Sequence, residues 1–246
     1  SCGSSSPLSE LRDIGELEPQ LPFAAAIPAG AASAPAAMGL DTTPGEDSDI
    51  EQDQEDEDMA ADTMSDSNDT DEDTTSTAIP ETDALVTNVP QLPLALHFAD
   101  CVSVFFLDPV HRAVGLAHAG WRGTVDNIVA ATVETMVREF GTDPSALLAA
   151  IGPSIERHCY EVGDDVVGRF ARLFDNEERV LSPCSPNKWR IDLRAANTIL
   201  LQRAGLDYSN IAISERCTSC NSSEFFSYRR DGETGRMSGW ISLRPV

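Results

Sequence analysis

Cys101 and His118 are the residues whose types and spacing most directly suggest chemistry in this chain. Residues 102–107, Val-Ser-Val-Phe-Phe-Leu, read as a buried strand of β-branched and aromatic side chains. Asp108-Pro109 is turn chemistry, and residues 112–118 alternate loosely as a returning strand. A hairpin centred between Pro109 and Val110 sets Cys101 directly opposite His118, at a Cβ separation of roughly 5 Å. A thiol and an imidazole at that distance can share a metal or act as nucleophile and base. They can equally be a small buried hydrophobe and a hydrogen-bonded core histidine.

Other residues offer weaker chemistry. Arg122 stands just before an expected helix start, where N–H groups favour an anion such as phosphate; an arginine tied to a carboxylate fits as well. Asp100 can orient His118 or cap a turn. His97 shares a strand face with Cys101 but lies about 13 Å away along a continuous strand. His111 falls at the turn. Cys217-Thr218-Ser219-Cys220 has redox or zinc spacing, although a single CxxC without a second pair is weak. His158-Cys159 sits in a loop.

The elements that must position these groups follow from periodicity. Short strands are expected at 83–87 and 94–98, before the central pair. Val125, Ile128, Val129, Val133, Met136, Val137 and Phe140 keep helical spacing, and Gly141 supplies the stop, so one helix is expected over 125–140. A strand at 147–151, a helix capped by Asp164 or Asp165 and running to 174, and a helix over 193–203 come next. Strands close the chain at 211–214, 224–228 and 240–243. No regular βαβ spacing and no glycine-rich phosphate loop are present, so the fold class is α+β, with mixed sheets covered by helices.

Charge is distributed unevenly along the 246 residues. Up to position 80 there are 20 acidic residues and one base, Arg12; from 81 onward there are 21 acids and 16 bases. Residues 41–79 carry no base and almost nothing apolar, so they are expected to be disordered, as an acidic arm or a solubilising insertion. Residues 21–40 are uncharged, but Pro22, Pro28 and Pro35 break any spanning helix, which leaves a flexible Ala/Pro linker. The domain expected is 80–246, after a disordered 1–79. Without a basic stripe, nucleic-acid binding has no support. Six dispersed cysteines fit reduced thiols and a cytoplasmic location.

Ala99-Asp100-Cys101, the strand after it and His118-Ala119-Gly120-Trp121-Arg122-Gly123 resemble the signature of the multicopper polyphenol oxidase, or laccase-domain, family. Its members are also described as zinc-dependent purine nucleoside phosphorylases with adenosine deaminase activity. The resemblance continues in order through Asp83–Thr87, Ile151–Ile155, Cys159–Gly163, Ile191–Leu193, Phe225–Arg229, Thr234–Arg236 and Ile241–Leu243. It implies a layered α/β/β/α domain, with Cys101 and His118 as catalytic metal ligands for zinc, or alternatively copper. It also implies an arginine at the active site, Arg229 or a neighbour among Arg230 and Arg236. Tyr160 lies in a matching loop, where it can stack on a purine or simply pack. The family's third ligand is a histidine upstream of Asp83. No histidine precedes His97 here, so the resemblance implies a domain whose N-terminal part is missing, with weak zinc binding and slow turnover.

The reading is a metal-dependent purine nucleoside enzyme that acts on small molecules, a purine nucleoside and phosphate, with no nucleic-acid or membrane partner. The alternatives are a copper polyphenol oxidase, a metal-free Cys–His hydrolase and a non-catalytic binding remnant. Four histidines are too few for a multicopper cluster. Oligomeric state is not legible.

Overall fold

Strand β4 (Val102–Asp108) is central because both of its faces are covered. In this computed structural model, which describes residues 24–28, 30, 79, 81–175 and 177–245, Val102, Val104 and Phe106 are wholly buried on one face. Phe105 packs on the other. In chain order the elements are β1 (Ala24–Pro28), β2 (Thr82–Thr87), β3 (Leu94–Phe98), β4, β5 (Ala113–Ala119), α1 (Trp121–Val125), α2 (Ile128–Phe140) and β6 (Leu148–Ile151). They continue with β7 (Glu161–Val162), α3 (Asp164–Phe174), β8 (Leu181–Ser185), β9 (Lys188–Ile191), α4 (Leu193–Arg203), β10 (Ile211–Ile213), α5 (Tyr228–Asp231) and β11 (Met237–Ile241).

Six strands form the main sheet in the order β1-β2-β5-β4-β6-β10, antiparallel except for the β6–β10 pair. Helices α2, α3 and α4 supply buried apolar residues to the core on one face. The β3–β11 ribbon contributes Leu94 and Phe98 to a second cluster, with Val114 and Leu116 of β5. The result is an α+β fold with a helical layer, a main sheet and a second β layer, and a separate β7-β9-β8 sheet.

Several expectations are corrected. The single helix over 125–140 is two helices, because Asn127 adopts a left-handed backbone (φ 58°) that asparagine tolerates. Gly141 ends α2 in the same region (φ 70°). Residues 224–228 form a turn leading into α5, not a strand. There Ser227 accepts a hydrogen bond from the Arg230 N–H, and Glu224 and Phe225 donate to the Asn221 carbonyl. Within the expected linker, Ala24–Pro28 pairs antiparallel with β2, and Ile27 is buried. The rest of the segment expected to be disordered, 1–79, lies outside the described residues apart from Gly30 and Ile79.

Candidate functional site

The β4–β5 hairpin sets the site. His118 pairs with Ser103 rather than Cys101, and Val102 pairs with Ala119. The turn takes four residues because Asp108 Oδ1 accepts the N–H groups of Val110 and His111, and its Oδ2 accepts from His111 Nδ1 at 2.9 Å. Arg112 completes it with φ 51°. This slides the register by two positions on the partner strand, and an even slide keeps side chains on their face. Cys101 and His118 are therefore diagonal neighbours on one face, and the Cys101 Sγ and His118 Nε2 atoms both lie against Gly120.

Gly120 makes room for that pair. A Cβ there would lie 3.0 Å from Cys101 Sγ and 3.8 Å from His118 Nε2. The other imidazole nitrogen, Nδ1, donates to Asp83 Oδ1 at 3.3 Å, since a carboxylate only accepts. Asp83 rather than Asp100 thus orients the ring, and Nε2 is left towards the thiol. Phe98 packs edge-on against the same ring at 5.5 Å. Burial pushes the His118 imidazolium down, but its bonds to Asp83 and Cys101 and their charges outweigh that, and its pKa is pushed up to about 10. A thiol and a carboxylate-backed imidazole around a Cβ-free space are a donor set suited to a soft divalent cation. Among the described residues, no third histidine, cysteine or carboxylate joins them within 4.8 Å. His97 is exposed on β3, opposite Ser238, and His111 is held in its own turn.

Asp100 is buried with φ 88° and serves as an acceptor hub. It takes the Thr218 hydroxyl at 2.6 Å, the Ser227 hydroxyl at 3.0 Å and the Arg229 N–H at 2.7 Å. These bonds bring Arg229 to the site, with its guanidinium 5.0 Å from the Tyr160 ring centre and one N–H on the Glu161 carbonyl. Burial and the Cys101 charge push the Tyr160 phenol up, against Arg229 and Arg122. Arg122 stacks over Trp121 at 4.6 Å, in a helix of five residues. Arg230 is spent on the carbonyls of Thr218, Ser219 and Phe225, and Arg236 on those of Thr234 and Gly235. Asp100 therefore draws Arg229, and with it the Tyr160 ring, towards the strand end that carries Cys101, while Cys101 and His118 meet at Gly120.

The model of the multi-copper polyphenol oxidoreductase laccase family matches residues 51–244. The chain belongs to that family. It is 40% identical over 171 residues to the purine nucleoside phosphorylase YlmD of Bacillus subtilis, covering 69% of this chain and 62% of that protein. It is 42% identical over 156 residues to the adenosine deaminase RL5 of an unknown prokaryotic organism, covering 63% and 59%. The crystal structure of YlmD from Geobacillus stearothermophilus superposes with a TM-score of 0.66 at 43% identity, covering 69% of this chain and 63% of that one. This laccase-family chain therefore spans less than two thirds of the length of these relatives.

Sequence reasoning about this family member missed one grouping. His158, Cys159, Cys217 and Cys220 place their ligand atoms within 4.8 Å of one another. Each motif was visible alone, but nothing in their spacing joined residues 61 positions apart. A concavity of about 810 Å³, lined by residues including Arg194, Gln202 and Tyr208, contains none of Cys101, His118, Tyr160 or Arg229. No helix among the described residues is long and apolar enough to cross a membrane.

Proposed function

We propose that this chain is a metal-dependent purine nucleoside enzyme that phosphorolyses adenosine and inosine and deaminates adenosine. The observation that carries the reading is the Cys101 thiol and the Asp83-backed His118 imidazole, which both lie against Gly120. Cys101 and His118 hold zinc, with copper as the alternative metal, and are the catalytic pair in that sense. When bound, the metal supplies Lewis acidity and an activated water. Asp83 keeps the Nδ1 proton in place, so the proton that a metal would displace is the one on Nε2. The Tyr160 ring offers a face to the purine, while Arg229 and Arg122 hold phosphate through the guanidinium N–H groups they leave unused. Substrates are small molecules, with no nucleic acid or membrane involved, and the protein works in the cytoplasm.

A catalytic zinc takes three protein ligands and leaves one position open. Two are on hand among the described residues, so on this reading zinc would bind the site weakly and turnover would be slow. Inosine phosphorolysis by the full chain, followed across added zinc, tests the reading. Product formation that rises with zinc and disappears in Cys101→Ala and His118→Ala is expected. No product at any zinc level would overturn it in favour of a binding remnant, and product formation indifferent to both substitutions would overturn Cys101 and His118 as the catalytic pair.

A further inference from the structure

The two motifs that the proposed reaction leaves unused meet at one point. His158 Nε2 lies 3.0 Å from Cys220 Sγ, and Cys159 Sγ lies 3.4 Å from the same sulfur. Cys217 completes the group, with all four ligand atoms within 4.8 Å of one another. We propose that His158, Cys159, Cys217 and Cys220 form a closed, tetrahedral zinc site, separate from Cys101 and His118, that clamps the 156–160 turn to the 217–220 loop.

Three features beyond proximity carry this. First, the donor set is three thiols and one imidazole, a Cys3His set that fills every position of tetrahedral zinc and leaves none for water or substrate. Metal–ligand bonds of about 2.0–2.3 Å in a tetrahedron put ligand atoms roughly 3.5–3.8 Å apart, the scale seen here. Second, His158 is oriented as a ligand. Its Nδ1 faces Glu156 Oε2 at 3.1 Å, which fixes the proton on Nδ1 and leaves the Nε2 lone pair pointing at Cys220. Glu156 is in turn paired with Arg194, so the supporting carboxylate is itself anchored. Third, the Glu156 N–H donates to Cys217 Sγ at 3.4 Å, and the Cys217 carbonyl accepts from Asn221 N and Nδ2. The first bond fixes the Cys217 sulfur, and the other two curl the Cys-x-x-Cys loop around it.

The sulfurs of Cys159 and Cys220 are too far apart for a disulfide, whose S–S bond is about 2.05 Å. Soft thiolates reject magnesium and calcium and favour zinc. Cys217 is buried, while the His158 side chain is 53% exposed and gives the ion a path from solvent. Binding displaces three thiol protons to water and involves no oxidation. The site also has a lever on the catalytic pair. Thr218, inside the Cys-x-x-Cys loop, donates to Asp100, which precedes Cys101 and receives the Arg229 N–H.

Metal analysis of the full chain, purified without chelator and desalted, tests this with zinc alone. One retained equivalent is expected, kept in Cys101→Ala and lost in Cys220→Ser and in His158→Gln, each weakening binding by more than about 100-fold. Cobalt(II) titration of Cys101→Ala gives a second readout that needs no change at the cluster. It should show sulfur-to-cobalt charge transfer and tetrahedral d–d bands, both erased by zinc. The proposal is overturned by an absence of retained zinc together with no charge-transfer band. It is equally overturned by zinc retained undiminished in both cluster variants, or by a Cys159–Cys220 disulfide counted as two missing thiols in the native protein. None of these outcomes reads catalysis.

Discussion

One side of this domain holds a donor pair and another a donor quartet, and they differ in the way open and closed metal sites differ. Cys101 just precedes β4 and His118 lies on β5, and the missing Cβ of Gly120 lets the thiol pack close against the backbone. Arg229, held by Asp100 next to Cys101, lies over the Tyr160 ring. His158, Cys159, Cys217 and Cys220 come from two loops and use all their ligand atoms on one another. A cation at the pair has coordination positions left for chemistry, whereas a cation at the quartet has none. Similar residues thus serve reaction in one place and cohesion in the other, and the number of ligands decides which.

The comparison can be broken most directly at the pair. Cys101→Ala should lower phosphorolysis by more than about 100-fold in steady-state assays, since a ligand matters more than the partner that orients one. Circular dichroism should stay native. Asp83→Asn should cost about 10–100-fold in zinc affinity, measured by competition with a chromogenic chelator, because His118 loses the anion that fixes its ring. Gly120→Ala should cost about tenfold in turnover, through about 1–3 kcal/mol of overpacking against the thiol. Unchanged turnover in that variant would mean that the close approach of the thiol to Gly120 does not matter to the reaction.

The smallest effect belongs to Asp108, which lies outside both donor sets. Burial raises the pKa of this carboxyl, but the Thr142 side chain beside it, the N–H groups of His111 and Val110 and the His111 ring prevail and hold it below the usual range. A depressed folded pKa stabilises above the unfolded value near 3.9, and the contribution vanishes as pH falls through the folded value. Asp108→Ala should therefore cost about 1–2 kcal/mol at neutral pH by thermal melts. Its melting-point gap from the unaltered chain should close below about pH 4.

Much of the frame was legible in the sequence. The apolar runs of β4 and β5 and the helical spacing of α2 and α4 announce themselves because burial selects residue type at each position. Cys101 and His118 were legible as a pair, although their register was not, since it depended on Asp108 capturing two N–H groups and lengthening the turn. The β7-β9-β8 sheet escaped because its strands are only two to five residues long and mostly exposed, too short for a period to stand out. The quartet escaped for another reason. Loop–loop contacts between distant segments leave no periodicity, and only the folded backbone brings Cys159 to Cys220. The role of Asp83 was hidden likewise, because it acts across the sheet on a residue 35 positions away.

The β1–β2 pairing carries a consequence for how the chain tolerates length. Pro28 and Thr82 face each other at the end of that ladder, so everything between them leaves and re-enters the sheet at a single mouth. Closing a connection costs only about 0.6 kcal/mol more for each doubling of its length. Beyond that mouth, residues can be added or removed almost without charge to the domain, while β1 continues to shield the β2 edge from pairing with a second chain. The hairpin acts as a splice point, closing the sheet whatever the length of the connection between Pro28 and Thr82.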